Sequence, residues 1–224
     1  MPGLPPPSDL VAEHVVLGDV ELDVRRPRDL EALVDADAFA DGEFLPYWAA
    51  LWPSAPALAE LLADRLRPGD RVLELGCGLA LPSLVAARLG AEVTASDWAP
   101  AALELLADNA ERNDVRVEPL RLDWFAGADG VGAGDRWPLV LAADVLYESR
   151  NGPALLATLD RVVAPGGEAW IADPGRPPGR RFWPLAEATW TVEVLGTPAS
   201  GAPVVRRLRR RTAREPARAR RVPA

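Results

Sequence analysis

Residues 71–78 (RVLELGCG) run a short apolar strand straight into a turn built on Gly76 and Gly78, and no other feature constrains the fold as much. A buried strand that ends in glycines and is followed by a helical pattern is the opening of a βαβ unit, because glycine lets the chain reverse tightly and lets a ligand approach bare backbone. From there strands and helices alternate. Apolar segments over 71–75, 92–96, 115–120, 139–143 and 168–172 read as strands, and 82–89, 100–112 and 153–163 have helical spacing, the last ending at Pro165-Gly166-Gly167. A short helical piece follows Arg176-Pro177-Pro178-Gly179, and 189–195 and 204–208 flank a Gly/Pro/Ser turn as an antiparallel hairpin. Upstream, 14–25 alternates around Gly18-Asp19 as a small hairpin, 27–44 is acidic with weak helical character, and 55–66 places Leu58, Leu61, Leu62 and Leu66 at helical spacing before Pro68-Gly69. The pattern predicts an α/β fold: a mostly parallel sheet with helices on both faces. The expected organisation is an N-terminal extension with a β-hairpin (1–45), one α/β domain (46–211) and an arginine-rich tail (212–224).

In open sheets of this kind ligands bind beyond the C-terminal ends of the strands. The turn itself separates two ligand classes. A dinucleotide fingerprint needs a third glycine where this chain has Leu81, and Glu74 would repel a pyrophosphate just before the turn. The same carboxylate suits the ammonium of S-adenosylmethionine (SAM), with Cys77 as a small turn residue between the glycines. Asp97, 21 positions after Gly76, ends the second strand where an acid accepts hydrogen bonds from ribose hydroxyls. Trp98 beside it can lie against an adenine. After the third strand, Asp123 can bond the adenine amine and Trp124 can stack on the ring; core packing is the plainer role for either tryptophan. The fourth strand ends in Ala143-Asp144-Val145-Leu146-Tyr147, where Asp144 can orient an amine and Tyr147 can wall its pocket, unless Asp144 merely caps the next turn.

Charge narrows the partners. The chain has no Lys, so all 25 basic residues are Arg, and nine of them fall in the last nineteen positions. The remainder carries 16 Arg against 32 acidic residues, a field that disfavours nucleic acid as the main partner. The tail reads as a solvated end that can meet something anionic. One Cys and one His exclude an internal disulfide and argue against a zinc site, leaving His14 as an ordinary surface or half-buried residue. No apolar run reaches the ~18 residues that would cross a bilayer, and the proline-rich start has no secretory pattern, so a cytoplasmic monomer is expected.

With VLELGCG (72–78), SDW (96–98), LDW (122–124) and ADVLYE (143–148) in place, the chain resembles the seven-strand protein lysine methyltransferases often called methyltransferase family 16. The likeness covers about 44–208. PYWAALWPS (46–54) and DPGR (173–176) resemble, more narrowly, the methyltransferases of the electron-transfer flavoprotein β-subunit and their bacterial relatives. The resemblance implies a Rossmann-like class I fold with strand order 3-2-1-4-5-7-6 and strand 7 antiparallel. It adds Trp52 to the cofactor pocket and brings Ala143 there, with Asp144 and Tyr147 beside the acceptor. DPGR can line the acceptor side, but Arg176 sits awkwardly there with a cationic acceptor and is expected instead to meet an acidic patch on a protein substrate. The reaction implied is SAM-dependent methylation of a protein lysine. A small-molecule amine as acceptor and a SAM-binding protein without turnover stay open as alternatives, and a nicotinamide-dependent oxidoreductase is disfavoured by Glu74 and Leu81.

Overall fold

The computed structural model describes residues 3–33, 46–127, 130–132 and 134–211. The tail from 212 onward and most of the acidic stretch 27–44 lie outside the described residues; of that stretch a 3₁₀ turn at Glu31–Leu33 is described.

Seven strands form one sheet: β3 (Arg71–Leu75), β4 (Glu92–Asp97), β5 (Val117–Arg121), β6 (Trp137–Ala143), β7 (Val163–Asp173), β8 (Trp190–Val194) and β9 (Val204–Arg210), in the order β5-β4-β3-β6-β7-β9-β8. Numbered within the sheet this is 3-2-1-4-5-7-6, parallel throughout except for β9, which runs antiparallel to both neighbours. Among the described residues five α-helices cover it: α1 (Ser54–Glu60), α2 (Leu81–Arg88), α3 (Pro100–Arg112), α4 (Asn151–Val162) and α5 (Pro177–Ala186).

Strand alternation sorts the core into two layers. Val72, Leu139, Leu141, Trp170 and Ala172 pack with α1, α2 and α3, whereas Leu73, Leu75, Val140, Ala142 and Ile171 pack with α4 and α5. Each such valine, leucine or isoleucine side chain, taken out of water, contributes about 1.5–3 kcal/mol. The two-period also decides where polar groups fall: Glu74 follows Val72 to the α1–α3 face.

The N-terminal hairpin pairs β1 (Leu10–Leu17) with β2 (Val20–Pro27) around a two-residue turn, and Val20, Leu22 and Val24 are buried beneath it. Two asparagines one turn apart on α3 hold it. The Asn109 amide bonds both N and O of Arg25, at 2.7 and 3.1 Å, and the Asn113 amide bonds both N and O of Asp23, at 2.8 and 3.0 Å. Asparagine weakens a helix because its side chain competes for backbone groups; here it substitutes for a neighbouring strand.

Three boundaries differ from the sequence expectation. α1 stops at Glu60, because the Leu61 and Leu62 amides turn back to the carbonyls three residues earlier, while Leu62 and Leu66 remain buried. β5 starts at Val117, since the Val115 amide closes the end of α3 by bonding Ala110 O. Pro165-Gly166-Gly167 does not break the chain into a turn before β7 but bulges within the strand. Trp137 faces Val163 and Leu139 faces Glu168, so two residues on one strand span five on the other. A side chain at Gly167 would meet Pro138 O at 2.9 Å.

The C-terminal arginines divide. Arg206, Arg207, Arg209 and Arg210 belong to β9 and have partners: the Trp183 ring, Glu193, Glu168 and Asp160 respectively. Arg214, Arg218, Arg220 and Arg221 lie outside the described residues. Among the described residues no helix is long and apolar enough to cross a membrane.

Candidate functional site

A cleft of about 550 Å³ opens beyond the C-terminal ends of β3, β4 and β6, and the segment 47–55 closes its other side. All twelve residues singled out from the sequence line it: Trp52, Glu74, Gly76, Cys77, Gly78, Asp97, Trp98, Asp123, Trp124, Ala143, Asp144 and Tyr147. Parallel strands put all but Trp52 there, since their C-terminal ends meet at one edge where the strand order reverses between β3 and β6, and Trp52 comes from the segment that closes the other side.

The floor is the turn after β3. Gly76 and Gly78 have φ of +65° and +51°, and the surroundings also demand glycine. A Cβ on Gly76 would meet Val145 Cγ1 at 3.1 Å and Trp124 Cζ2 at 3.3 Å; one on Gly78 would meet Trp48 O at 3.1 Å. Cys77 is buried between them with its thiol pushed up in pKa by burial, which makes it a packing residue. Two carboxylates stand beside the turn. Glu74 Oε2 accepts from both the amide (2.9 Å) and the hydroxyl of Ser83 at the start of α2. Asp97 Oδ2 accepts from Gly78 N and Oδ1 from Ala99 N, each at 3.0 Å. Burial raises both pKa values, Glu74 to about 8, because the donors to each are neutral, and the charge of Asp97 adds to the rise at Glu74.

The opposite wall is aromatic and cationic. Trp52 donates from Nε1 to Tyr47 O at 2.8 Å, and the Tyr47 ring packs on Tyr147 with centroids 4.7 Å apart. Burial, with Glu148 adding, pushes the Tyr147 hydroxyl up to about 12, so it stays protonated and serves as a wall, not as a base. Asp144 is 5 % exposed and left-handed, with φ +57°. Its Oδ2 accepts from Ser54 N at the first residue of α1 (3.1 Å), and its Oδ1 is ion-paired with Arg176. The guanidinium of Arg176 also lies over the Trp52 ring, 5.4 Å from its centroid. Asp144 thus anchors the start of α1 in place of capping the turn after its own strand, and Arg176 lines the cleft, on the side where DPGR was expected to meet the acceptor.

Toward the rim, Trp124 lies against Gly76 and the α4–α5 core, Trp98 packs on the other core layer, and the exposed Asp123 accepts from Phe125 N at 2.8 Å. Sequence reasoning missed Tyr47, Ser83 and Ser54. Tyr47 and Ser54 sat within the quoted PYWAALWPS stretch, but no local signal ties either serine to its carboxylate, which lies 90 positions from Ser54 and 9 from Ser83. Among the described residues no group of three or more His, Cys, Asp or Glu suits a metal ion.

Comparison with known proteins gives a consistent family. A family model described as lysine methyltransferase matches residues 48–176. The electron transfer flavoprotein beta subunit lysine methyltransferase of Danio rerio is 33% identical over 135 residues, covering 58% of this chain and 51% of that protein. A histone-arginine methyltransferase of Mus musculus is 32% identical over 157 residues, covering 66% and 58%. The chain spans about half the length of the curated relatives it matches. Among solved structures, a 16S rRNA methyltransferase of T. thermophilus, in complex with AdoMet and guanosine, superposes with a TM-score of 0.67 at 21% identity, over 92% of this chain and 52% of that one.

Proposed function

Because the chain belongs to the lysine methyltransferase family, we propose that it transfers a methyl group from SAM to a lysine of a partner protein. The observation that carries this reading is the pair of buried carboxylates, Glu74 and Asp97, which flank a bare glycine turn and bond neutral donors from the chain. They suit a ligand that brings one ammonium and two hydroxyls. The residues fit SAM in a second respect: side chains at Gly76 and Gly78 would fill the cradle a ligand needs. When bound, SAM supplies an electrophilic methyl on a sulfonium.

The chain's own residues do the rest. Asp97 accepts from the amides of Gly78 and Ala99, with the Trp98 amide beside them, and its carboxylate keeps lone-pair capacity for the ribose. Glu74 takes the ammonium, Asp123 and Trp124 receive the adenine with Trp98 and Trp52 beside them, and Ala143 leaves room at the end of β6. Asp144 and Tyr147 face the acceptor. A free lysine has pKa ~10.4, so about one in a few thousand is neutral at pH 7, a deficit of roughly 4–5 kcal/mol. Burial against Tyr47, Tyr147 and Trp52 lowers that pKa and releases the proton to water. Likeness to the flavoprotein β-subunit enzyme, together with PYWAALWPS and DPGR, makes the electron-transfer flavoprotein β-subunit the first substrate to try. On this reading the enzyme works in the cytoplasm as a monomer, with residues 46–211 as its catalytic domain.

The test is incubation with methyl-labelled SAM and a lysate of the source organism, with Asp144→Ala and Asp97→Ala as controls. Label in one protein band, lost in both variants, is the expected result. Label only in low-mass products moves the acceptor to a small amine, and no label despite cofactor binding removes turnover. The chain has no Lys, so label on its own side chains would mean a different acceptor type.

A further inference from the structure

Of the three buried carboxylates that line the cleft, Glu74, Asp97 and Asp144, Asp144 is the one that already has a cation, and the cation comes from the chain. One of its oxygens is committed to the backbone at Ser54 N. Any incoming cation that uses Asp144 must therefore take the side where the Arg176 guanidinium now sits, between that carboxylate and the Trp52 ring. A carboxylate on one side and an aromatic face on the other is the chemistry that recognises an ammonium or a guanidinium. The arm that fills it is placed to leave. Arg176 follows Pro174-Gly175 in the connection between β7 and α5, its side chain is 31% exposed, and Gly175 (φ +89°) has nothing within 4 Å of where a Cβ would stand.

We propose that Arg176 is a specificity-determining residue that occupies the acceptor's cation position in the ligand-free chain, so that only an acceptor able to displace a guanidinium from Asp144 and Trp52 enters. This rests on the methyltransferase reading for what the acceptor is, but the cation position itself can be tested without turnover. A loose neutral amine has no means of displacing the pair. A lysine side chain, held by a docked protein, competes at high effective concentration.

The experiment titrates n-butylammonium, methylguanidinium and neutral 1-butanol into wild type, Arg176→Met and the double variant Arg176→Met/Asp144→Asn, by calorimetry and thermal shift. Methionine keeps an apolar stem over Trp52, and Arg176→Ala serves as a second variant. Both cations should bind Arg176→Met at least tenfold tighter than wild type, methylguanidinium should restore the lost thermal stability, and the double variant should bind neither. Equal binding of butanol would mean a mere cavity, and cation affinity unchanged from wild type would mean that Arg176 guards nothing; either overturns the proposal. SAM affinity measured on the same samples keeps the two readings apart, since loss of SAM binding in wild type would sink the methyltransferase reading and leave the cation result standing.

Discussion

Two groups of buried carboxylates sit at opposite ends of the same sheet and are treated in opposite ways. At the N-terminal side, Glu168 is 3 % exposed and holds Arg65 (3.1 Å), Arg209 (2.7 Å) and the Trp170 indole N–H (3.0 Å). Burial alone would push its pKa up, but the two guanidinium groups overturn that and hold it below the ordinary range. At the C-terminal side, Glu74 and Asp97 are equally buried and bond neutral donors, and their pKa values rise. The chain completes the first site by itself, joining the turn after α1 to β7 and β9. It leaves the second short of positive charge. A buried carboxylate without a cation lowers stability, so its persistence at a cleft marks where a ligand is expected to bring one.

The largest effect should appear in pH dependence, where the two ends have opposite signs. Glu74 is raised from 4.5 to about 8, so between those values the native state holds a proton that the unfolded chain releases. The stabilisation is complete below about pH 4.5 and is lost as pH rises through 8, with a slope of up to about 1.4 kcal/mol per pH unit. Thermal midpoints of the ligand-free protein should therefore fall from pH 5 to 8, and Glu74→Gln should flatten that limb. Glu168, depressed, contributes stability above its ordinary pKa that disappears as pH falls through the lower folded value, and Glu168→Gln should soften the acid limb only. A midpoint that rises from pH 5 to 8 would break the comparison.

Next in size is Asp97→Ala. Losing two charge-assisted bonds to a ligand should weaken SAM binding by about 2–3 kcal/mol, on the order of 100-fold by calorimetry. Glu168→Gln should do the reverse. It strips a shared anion from two half-exposed arginines, costs about 1–3 kcal/mol of stability in denaturant titration, and leaves SAM affinity within threefold. A large change in SAM affinity from Glu168→Gln would show that the two ends are not independent. The smallest effect belongs to Tyr147→Phe. With its hydroxyl near 12 and protonated at neutral pH, the residue acts as a ring, so the single-turnover rate should change by less than about threefold; a loss of 100-fold would assign the hydroxyl a chemical role.

Much of this was legible in the chain order. Strands that are apolar throughout, glycines at 76 and 78 and acids at strand ends are local signals, and a parallel sheet converts "end of a strand" into "edge of the cleft" without further information. That is why residues as far apart in sequence as Glu74 and Tyr147 fall into one cleft, whereas Trp52, which ends no strand, was placed there only by the family resemblance. Where the expectation failed, the deciding partner was remote. Nothing near position 176 says that its guanidinium will meet Asp144, and nothing near position 54 says that its amide will bond the same carboxylate. α1 ends early although its leucine spacing continues, because packing of Leu62 and Leu66 needs burial and not helix.

The sequence by itself determined the layered α/β fold and the cleft's position, because periodicity and turn chemistry act within a few residues and are repeated many times along the chain; the strand order was implied only by the family resemblance. Only the tertiary structure decided which carboxylates would be neutralised from within. That depends on whether an arginine from another element ends within hydrogen-bond reach, and electrostatics in a dry interior changes sign over a few ångströms.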